Sequence, residues 1–267
     1  MSRSRESLLW EIEASDGRIN YVYGTIHLQD DRVFIFADEV IERIRQVDVL
    51  ACEVSLDDMD PARWQTTFHL PPGQYLEALI GAKKFKRLIQ FSNRHLKLPA
   101  FHLNRLSPFM VMNLMSQAFF QSDQTVNLDT YFFETARQMG KIVTGLESFE
   151  EQLSYVTRIS MVEQVRALKK GLAQENKLKQ QHEQALCYYQ EQQVNALYKQ
   201  SRKSLGKWRK MMLNERNQKM VTAFKEISNH QTVLAAIGAA HLPGQFGMLR
   251  LLKKVGFQIR PITISGK

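Results

Sequence analysis

Two histidines and a glutamate, each placed where a strand-like run gives out, are the residues best suited to chemistry. Gly24-Thr25-Ile26-His27 and Gly238-Ala239-Ala240-His241 each set a histidine three residues after a glycine. The first string follows Tyr21-Val22-Tyr23 and the second follows residues 232–237, both β-branched or apolar enough to read as strands. A third run, Val47-Asp48-Val49-Leu50-Ala51-Cys52, ends in Glu53. Loops at strand ends are where open α/β proteins gather their functional groups. Two imidazole nitrogens and one carboxylate oxygen form the ligand set of an open divalent-metal site, whose ion would acidify a water molecule and polarise a carbonyl. Such a donor set, lacking thiolate, leaves zinc, manganese and cobalt open. Glycine at the head of each string suits a tight turn or a close backbone approach. Glu147, after Val143-Thr144-Gly145-Leu146, has a similar position. Fourth ligand, general base and histidine-orienting group are all open to it, and Ser148-x-x-Glu151 beyond it fits a helix capping box.

For these groups to meet, the two ends of the chain must share one sheet. Residues 8–14 and 18–23 alternate around Asp16-Gly17, a hairpin signal. Residues 38–45 carry Ile41 and Ile44 at helical spacing, and Asp60-Pro61 reads as an N-cap and first helical position. Pro71-Pro72-Gly73 is a break. Residues 76–201 read as helical except for Lys141-Ile142-Val143-Thr144-Gly145, a short strand, and residues 160–230 read as two or three long helices. The C-terminal unit is strand 231–237, loop 238–244, helix 245–254 and strand 257–262. The expected fold is therefore α/β: a central mixed sheet built from N- and C-terminal segments, flanked by helices. No Gly/Ser/Pro-rich linker interrupts the chain, so residues 1–267 are expected to form a single domain with a helical subdomain over approximately 76–230.

Composition excludes several classes of function. No stretch approaches the uninterrupted apolar length of a membrane span. Met1 to Ser7 carries positive charge but leads into Leu8-Leu9-Trp10 and then Glu11, Glu13 and Asp16, not the apolar core of a secretory signal. With Cys52 and Cys187 as the sole cysteines, a reducing cytoplasm is the expected compartment. The net charge of +9 concentrates in Lys169-Lys170, Lys177, Lys179, Lys199, Arg202-Lys203 and residues 207–210. Few aromatics interleave there and no nucleic-acid-binding motif is present, so this reads as a solvated helical face, with an anionic partner surface as the alternative, and not as a nucleic-acid surface. Phe109, Met110, Met112, Met115 and Phe119-Phe120 read as core, and Cys52 as a buried, inert thiol. His69, His95, His102, His182 and His230 lack ligand spacing. No GxSxG, P-loop, HExxH or CxxC pair appears, which removes serine-hydrolase, NTPase, zincin and thioredoxin chemistry.

The chain also resembles a known family, the TraB/GumN proteins. The resemblance runs through Leu9-Trp10-Glu11-Ile12, Tyr23-Gly24-Thr25-Ile26-His27-Leu28, Glu53 and Pro72-Gly73-Gln74-x-Leu76. It continues in Leu128-Asp129, Gly145-Leu146-Glu147, Glu215-Arg216-Asn217 and Ile237-Gly238-Ala239-Ala240-His241-Leu242-Pro243-Gly244. Pro243 stands where valine is commoner. The resemblance implies a mixed sheet flanked by helices, similar to erythromycin esterases and ChaN-like haem-binding proteins, with His27, Glu53 and His241 holding a metal. The family includes the TIKI metalloproteases, which tilts the metal towards manganese or cobalt. It also lifts Arg216 and Asn217, which lie in a helix, into the site beside Glu147. Arg216 would neutralise a glutamate or stabilise a developing oxyanion. The expected activity is metal-dependent hydrolysis of an amide or ester bond in a peptide or small-molecule substrate. Metal-free, histidine-based hydrolysis and non-catalytic binding of a small ligand, haem or a peptide are the alternatives.

Overall fold

A computed structural model describes residues 6–28, 30–119 and 126–266. Met1 to Arg5 and Phe120, which entered the readings above, lie outside the described residues. In chain order the elements are β1 (Leu9–Glu13), β2 (Ile19–Thr25), α1 (Ala37–Gln46), β3 (Val49–Val54), α2 (Pro61–Phe68), α3 (Leu76–Ile80) and α4 (Ala82–His95). There follow α5 (Ala100–Leu103), α6 (Pro108–Gln117), α7 (Leu128–Gln138), β4 (Ile142–Glu147), α8 (Phe149–Thr157), α9 (Met161–Ala173) and α10 (Glu175–Gln190). The last are α11 (Val194–Leu205), α12 (Arg216–Ser228), β5 (Val233–Gly238), α13 (Met248–Lys254) and β6 (Gln258–Ile262).

The six strands form one mixed sheet in the order β4-β3-β5-β2-β1-β6. Strands β4, β3, β5 and β2 run parallel, with Cys52 opposite Ala236 and Thr25 opposite Gly238. Antiparallel β1 and β6 finish one edge. The hairpin read around Asp16-Gly17 is present, with Gly17 in the left-handed region at φ 85°. The central parallel strands are apolar without a break, as strands covered on both faces must be: Val49 to Cys52 and Val233 to Ile237 are all buried. Tyr23 meets Phe132 of α7 edge-on on one face. Gly24 points to the other face, where a Cβ would come within 2.8 Å of Leu242 Cδ1 and 3.0 Å of Ala239 Cα.

The chain divides into two compact units. One comprises Met1–Asp58, Ser122–Phe149 and Ala185–Lys267 and contains the whole sheet; the other comprises Met59–Gln121 and Glu150–Gln184. The second unit is helical, and its core includes Leu88, Phe91, Val111, Met115, Phe119 and Leu168. Its first helix starts as read, with Asp60 accepting from the amides of Ala62 and Arg63 and proline at the first position. Helices α11 and α12 group with the sheet, not with the helical unit. Residues 161–228 form four α-helices instead of two or three long ones. The breaks fall at Gln174, at Gln192, a non-glycine residue at φ 55°, and at Gly206, at φ 53°, so glycine announces only the last of the three.

Candidate active site

The carboxyl ends of the parallel strands place the functional side chains together. β2 runs out at Thr25 two residues before His27, Glu53 is the penultimate residue of β3, Glu147 is the last of β4, and β5 ends at Gly238, three residues before His241. His241 closes a single 3-10 turn over Ala239–His241. Arg216 and Asn217 open α12, directly after a π-helical turn over Lys210–Glu215. Such turns often mark functional sites because the extra residue per turn re-aims the side chains that follow. All six residues lie in the sheet-containing unit, and five are buried; His27 keeps 57% of its side chain exposed.

The two imidazoles converge on one oxygen. His27 Nε2 lies 3.9 Å and His241 Nε2 3.8 Å from Glu53 Oε1, which also accepts the Gly238 amide at 2.7 Å. Gly238 must be small here, since a Cβ would stand 3.2 Å from that oxygen and 3.8 Å from His27 Nε2. Each ring is held by its other nitrogen. His27 Nδ1 donates to Asp129 Oδ2 at 2.8 Å, and Thr25 Oγ1 donates to Asp129 Oδ1 at the same distance. His241 Nδ1 donates to Asn217 Oδ1 at 2.6 Å. The Asn217 amide can take only this orientation, because its Nδ2 donates to the carbonyls of Phe246 at 2.7 Å and His241 at 3.3 Å. Neutral His241 therefore carries its proton on Nδ1 and presents the Nε2 lone pair to the site.

Beneath the histidines, Arg216 bridges two carboxylates. Its Nη2 donates to Glu53 Oε2 at 2.5 Å, and its Nε donates to Glu147 Oε2 at 2.7 Å. The guanidinium fork suits this double contact as an ammonium could not. Burial on its own would raise the Glu53 pKa, but the Arg216 charge, with the imidazoles beside it, outweighs it and holds the carboxyl well below its usual range. Burial would likewise strip the proton from Arg216, and the two carboxylates reverse that. The imidazoles diverge: the Asp129 charge lifts His27 well above the ordinary value, whereas burial brings His241 down to about 4. Cys52, adjacent to Glu53, is buried, and burial pushes its thiol up, away from nucleophilic or ligating use.

Among the described residues, no group of three or more His, Cys, Asp or Glu side chains meets the geometry of a metal cluster. The chemistry and orientation of the donors nevertheless fit a divalent ion. Two imidazoles turn Nε2 to the same carboxylate oxygen while outer hydrogen bonds fix Nδ1, the arrangement that orients ligand histidines. Gaps of 3.8 and 3.9 Å are too wide for hydrogen bonds and shorter than two metal–nitrogen bonds of about 2.1 Å end to end.

The model of the TraB/PrgY/gumN family matches residues 8–261. The chain belongs to this family. Similar curated proteins include "Metalloprotease TIKI1" of Danio rerio, 21% identical over 310 aligned residues that cover 95% of this chain and 62% of that protein. "Metalloprotease TIKI homolog" of Amphimedon queenslandica is 21% identical over 324 aligned residues, covering 98% of this chain and 62% of that protein. The chain thus spans 62% of the length of each of these relatives. No solved structure matches it.

In this TraB/PrgY/gumN chain the structure brings His27, Glu53, Glu147, Arg216, Asn217 and His241 into one cluster. It adds Thr25, Asp129 and the Gly238 amide, to which sequence reasoning assigned no part. Asp129 had a signal, since it follows Asn127, whose side chain caps α7. A carboxylate in the first turn of a helix nevertheless has a sufficient explanation in the helix itself.

Proposed function

We propose that this chain is a metal-dependent hydrolase of peptide, amide or ester bonds. The supporting observation is the convergence of His27 Nε2 and His241 Nε2 on Glu53 Oε1, with both Nδ1 atoms tied down. These three residues would hold the ion, manganese or cobalt before zinc, and when bound it supplies the polarisation of water and of the scissile carbonyl. The protein's own groups do the rest. Asp129 and Asn217 fix the rings in the tautomer that presents Nε2. Glu53 stays ionised against Arg216, and Glu147 anchors the other side of that guanidinium. Arg216 and Asn217 thereby act as positioning residues. With its partly exposed ring, His27 marks the open side of the site, where a substrate carbonyl would enter. The names of the TIKI relatives support the peptidase class, and the buried Cys52 suits a reducing compartment, the cytoplasm. Purified protein should take up manganese or cobalt in calorimetry and cleave a peptide library, and His27→Ala and His241→Ala should abolish both. Cleavage that survives exhaustive chelation would overturn the metal reading.

One observation favours a second reading. His27, with Nδ1 on a carboxylate and more than half of its side chain exposed, is also the geometry of a histidine general base oriented by an aspartate. Chelator-resistant activity lost in Asp129→Asn would select it.

A further inference from the structure

Between Glu191 and Glu215 the chain carries no acidic residue, while Lys199, Arg202, Lys203, Lys207, Arg209 and Lys210 fall within it. All six are exposed. Among the described residues no carboxylate pairs with Lys199, Arg202, Lys203, Arg209 or Lys210. At the other end of α11, Glu6 accepts from the backbone and side-chain amides of Asn195. Those five side chains therefore present positive charge to solvent along this ridge.

Its location ties it to the site at both ends. Tyr198 stands against Gly244, where a Cβ would come within 2.6 Å of the phenol oxygen, and Gly244 lies three residues after His241. Arg202 stacks on that same Tyr198 ring, its Cζ 5.3 Å from the centroid. At the far end, Arg209 and Lys210 lead through the π-helical turn into Arg216.

We infer that this ridge is a landing surface for acidic stretches of a polypeptide substrate, so that the site favours bonds flanked by glutamate or aspartate. The inference rests on the peptidase reading above. A peptide is favoured over single-stranded nucleic acid because the ridge's aromatic rings are taken: Arg202 covers Tyr198, and Lys207 lies over Trp208. Base stacking needs free rings. It is favoured over an anionic membrane because the apolar side of α11, Val194 and Leu197, is buried.

The test uses the full chain and three labelled peptides of one length: glutamate-rich, its glutamine counterpart and its lysine counterpart. Fluorescence anisotropy should show the glutamate peptide binding about tenfold more tightly than the glutamine one at low salt, with the advantage fading as salt rises. The charge-reversed variant R202E/K203E/R209E/K210E should lose that preference and bind the glutamine peptide as before. The milder R202Q/K203Q should lose part of it, which covers any folding failure of the reversed variant. In turnover, the change should fall on KM with kcat held. Equal binding of the three peptides, or equal loss for all in the variants, overturns the inference. So does tighter binding of an oligonucleotide or of phosphatidylserine vesicles than of the glutamate peptide. Selective binding without cleavage of any peptide would leave the ridge standing and overturn the hydrolase reading alone.

Discussion

Replacing Arg216 by methionine should strike the fold before it strikes any chemistry. The guanidinium neutralises Glu53 and Glu147, and the three side chains are 8%, 9% and 0% exposed. Methionine roughly fills the space and leaves two carboxylates buried without their cation. Removing one partner of a buried ion pair costs about 3–5 kcal/mol, because the remaining charge keeps its desolvation penalty. The pH dependence should also reverse. In the native protein Glu53 is held below its ordinary value of 4.5, so its contribution is present above that pH and is lost as acid protonates it. Without Arg216, burial raises the carboxyl above its unfolded value, and the variant recovers stability relative to native as pH falls from 7 to 5. Urea unfolding followed by tryptophan fluorescence reads both effects, since Trp10 and Trp208 lie in the sheet-containing unit. The triple variant Arg216→Met, Glu53→Gln, Glu147→Gln should regain most of the loss. A loss below about 1 kcal/mol, or one that is the same at both pH values, would refute the account of a buried, mutually dependent triad.

Other expectations follow from the same geometry. Asp129→Asn should lower metal affinity and activity by about 10–100-fold, measured by calorimetry and peptide hydrolysis, because the carboxylate orients His27. Thr25→Val should give a smaller loss in the same assays. Gly238→Ala puts a methyl 3.2 Å from Glu53 Oε1, so activity should drop more than thermal stability does. Gly24→Ala meets Leu242 and Ala239 and should lower stability by about 1–3 kcal/mol in urea titration. Neutral, buried His241 has its folded pKa brought from 6.5 to about 4, so the unfolded chain binds the extra proton first. Stability should therefore fall as pH drops from 6.5 towards 4, by about 3 kcal/mol from this residue. His241→Gln should flatten that part of the stability profile.

The strands and the meeting of their ends were legible because the signals are local and redundant. The Asp16-Gly17 turn, the β-branched runs and the glycine before each histidine all point the same way. Glu53 and Glu147 could be placed at strand ends from local pattern, whereas Arg216 entered the site through the family resemblance alone, since it sits in a helix whose amphipathic pattern explains an arginine equally well. Asp129 lies in one of the strings that carry the resemblance, but its role did not show for a related reason: a helix N-terminus accounts for an aspartate without any distant histidine. The Gly238 amide has no side-chain signature at all. The helix break at Gln192 has no local signal, and its side chain is tied tertiarily: Gln192 Nε2 donates to the Ile264 carbonyl. The element each long helix packs on had no signal either, since apolar spacing shows that α11 and α12 bury a face but not against what.

Strand β5 lies between β3 and β2, at the middle of the sheet, yet is the second to last strand in the chain. Its neighbours are synthesised nearly two hundred residues earlier, so the contacts that complete the sheet are among the least local in the protein and the slowest to form. Until β5 slots in, Glu53 lacks the Gly238 amide and His241 has no place beside His27. A growing chain that ends before β5 thus cannot assemble this cluster, which is completed only late in translation.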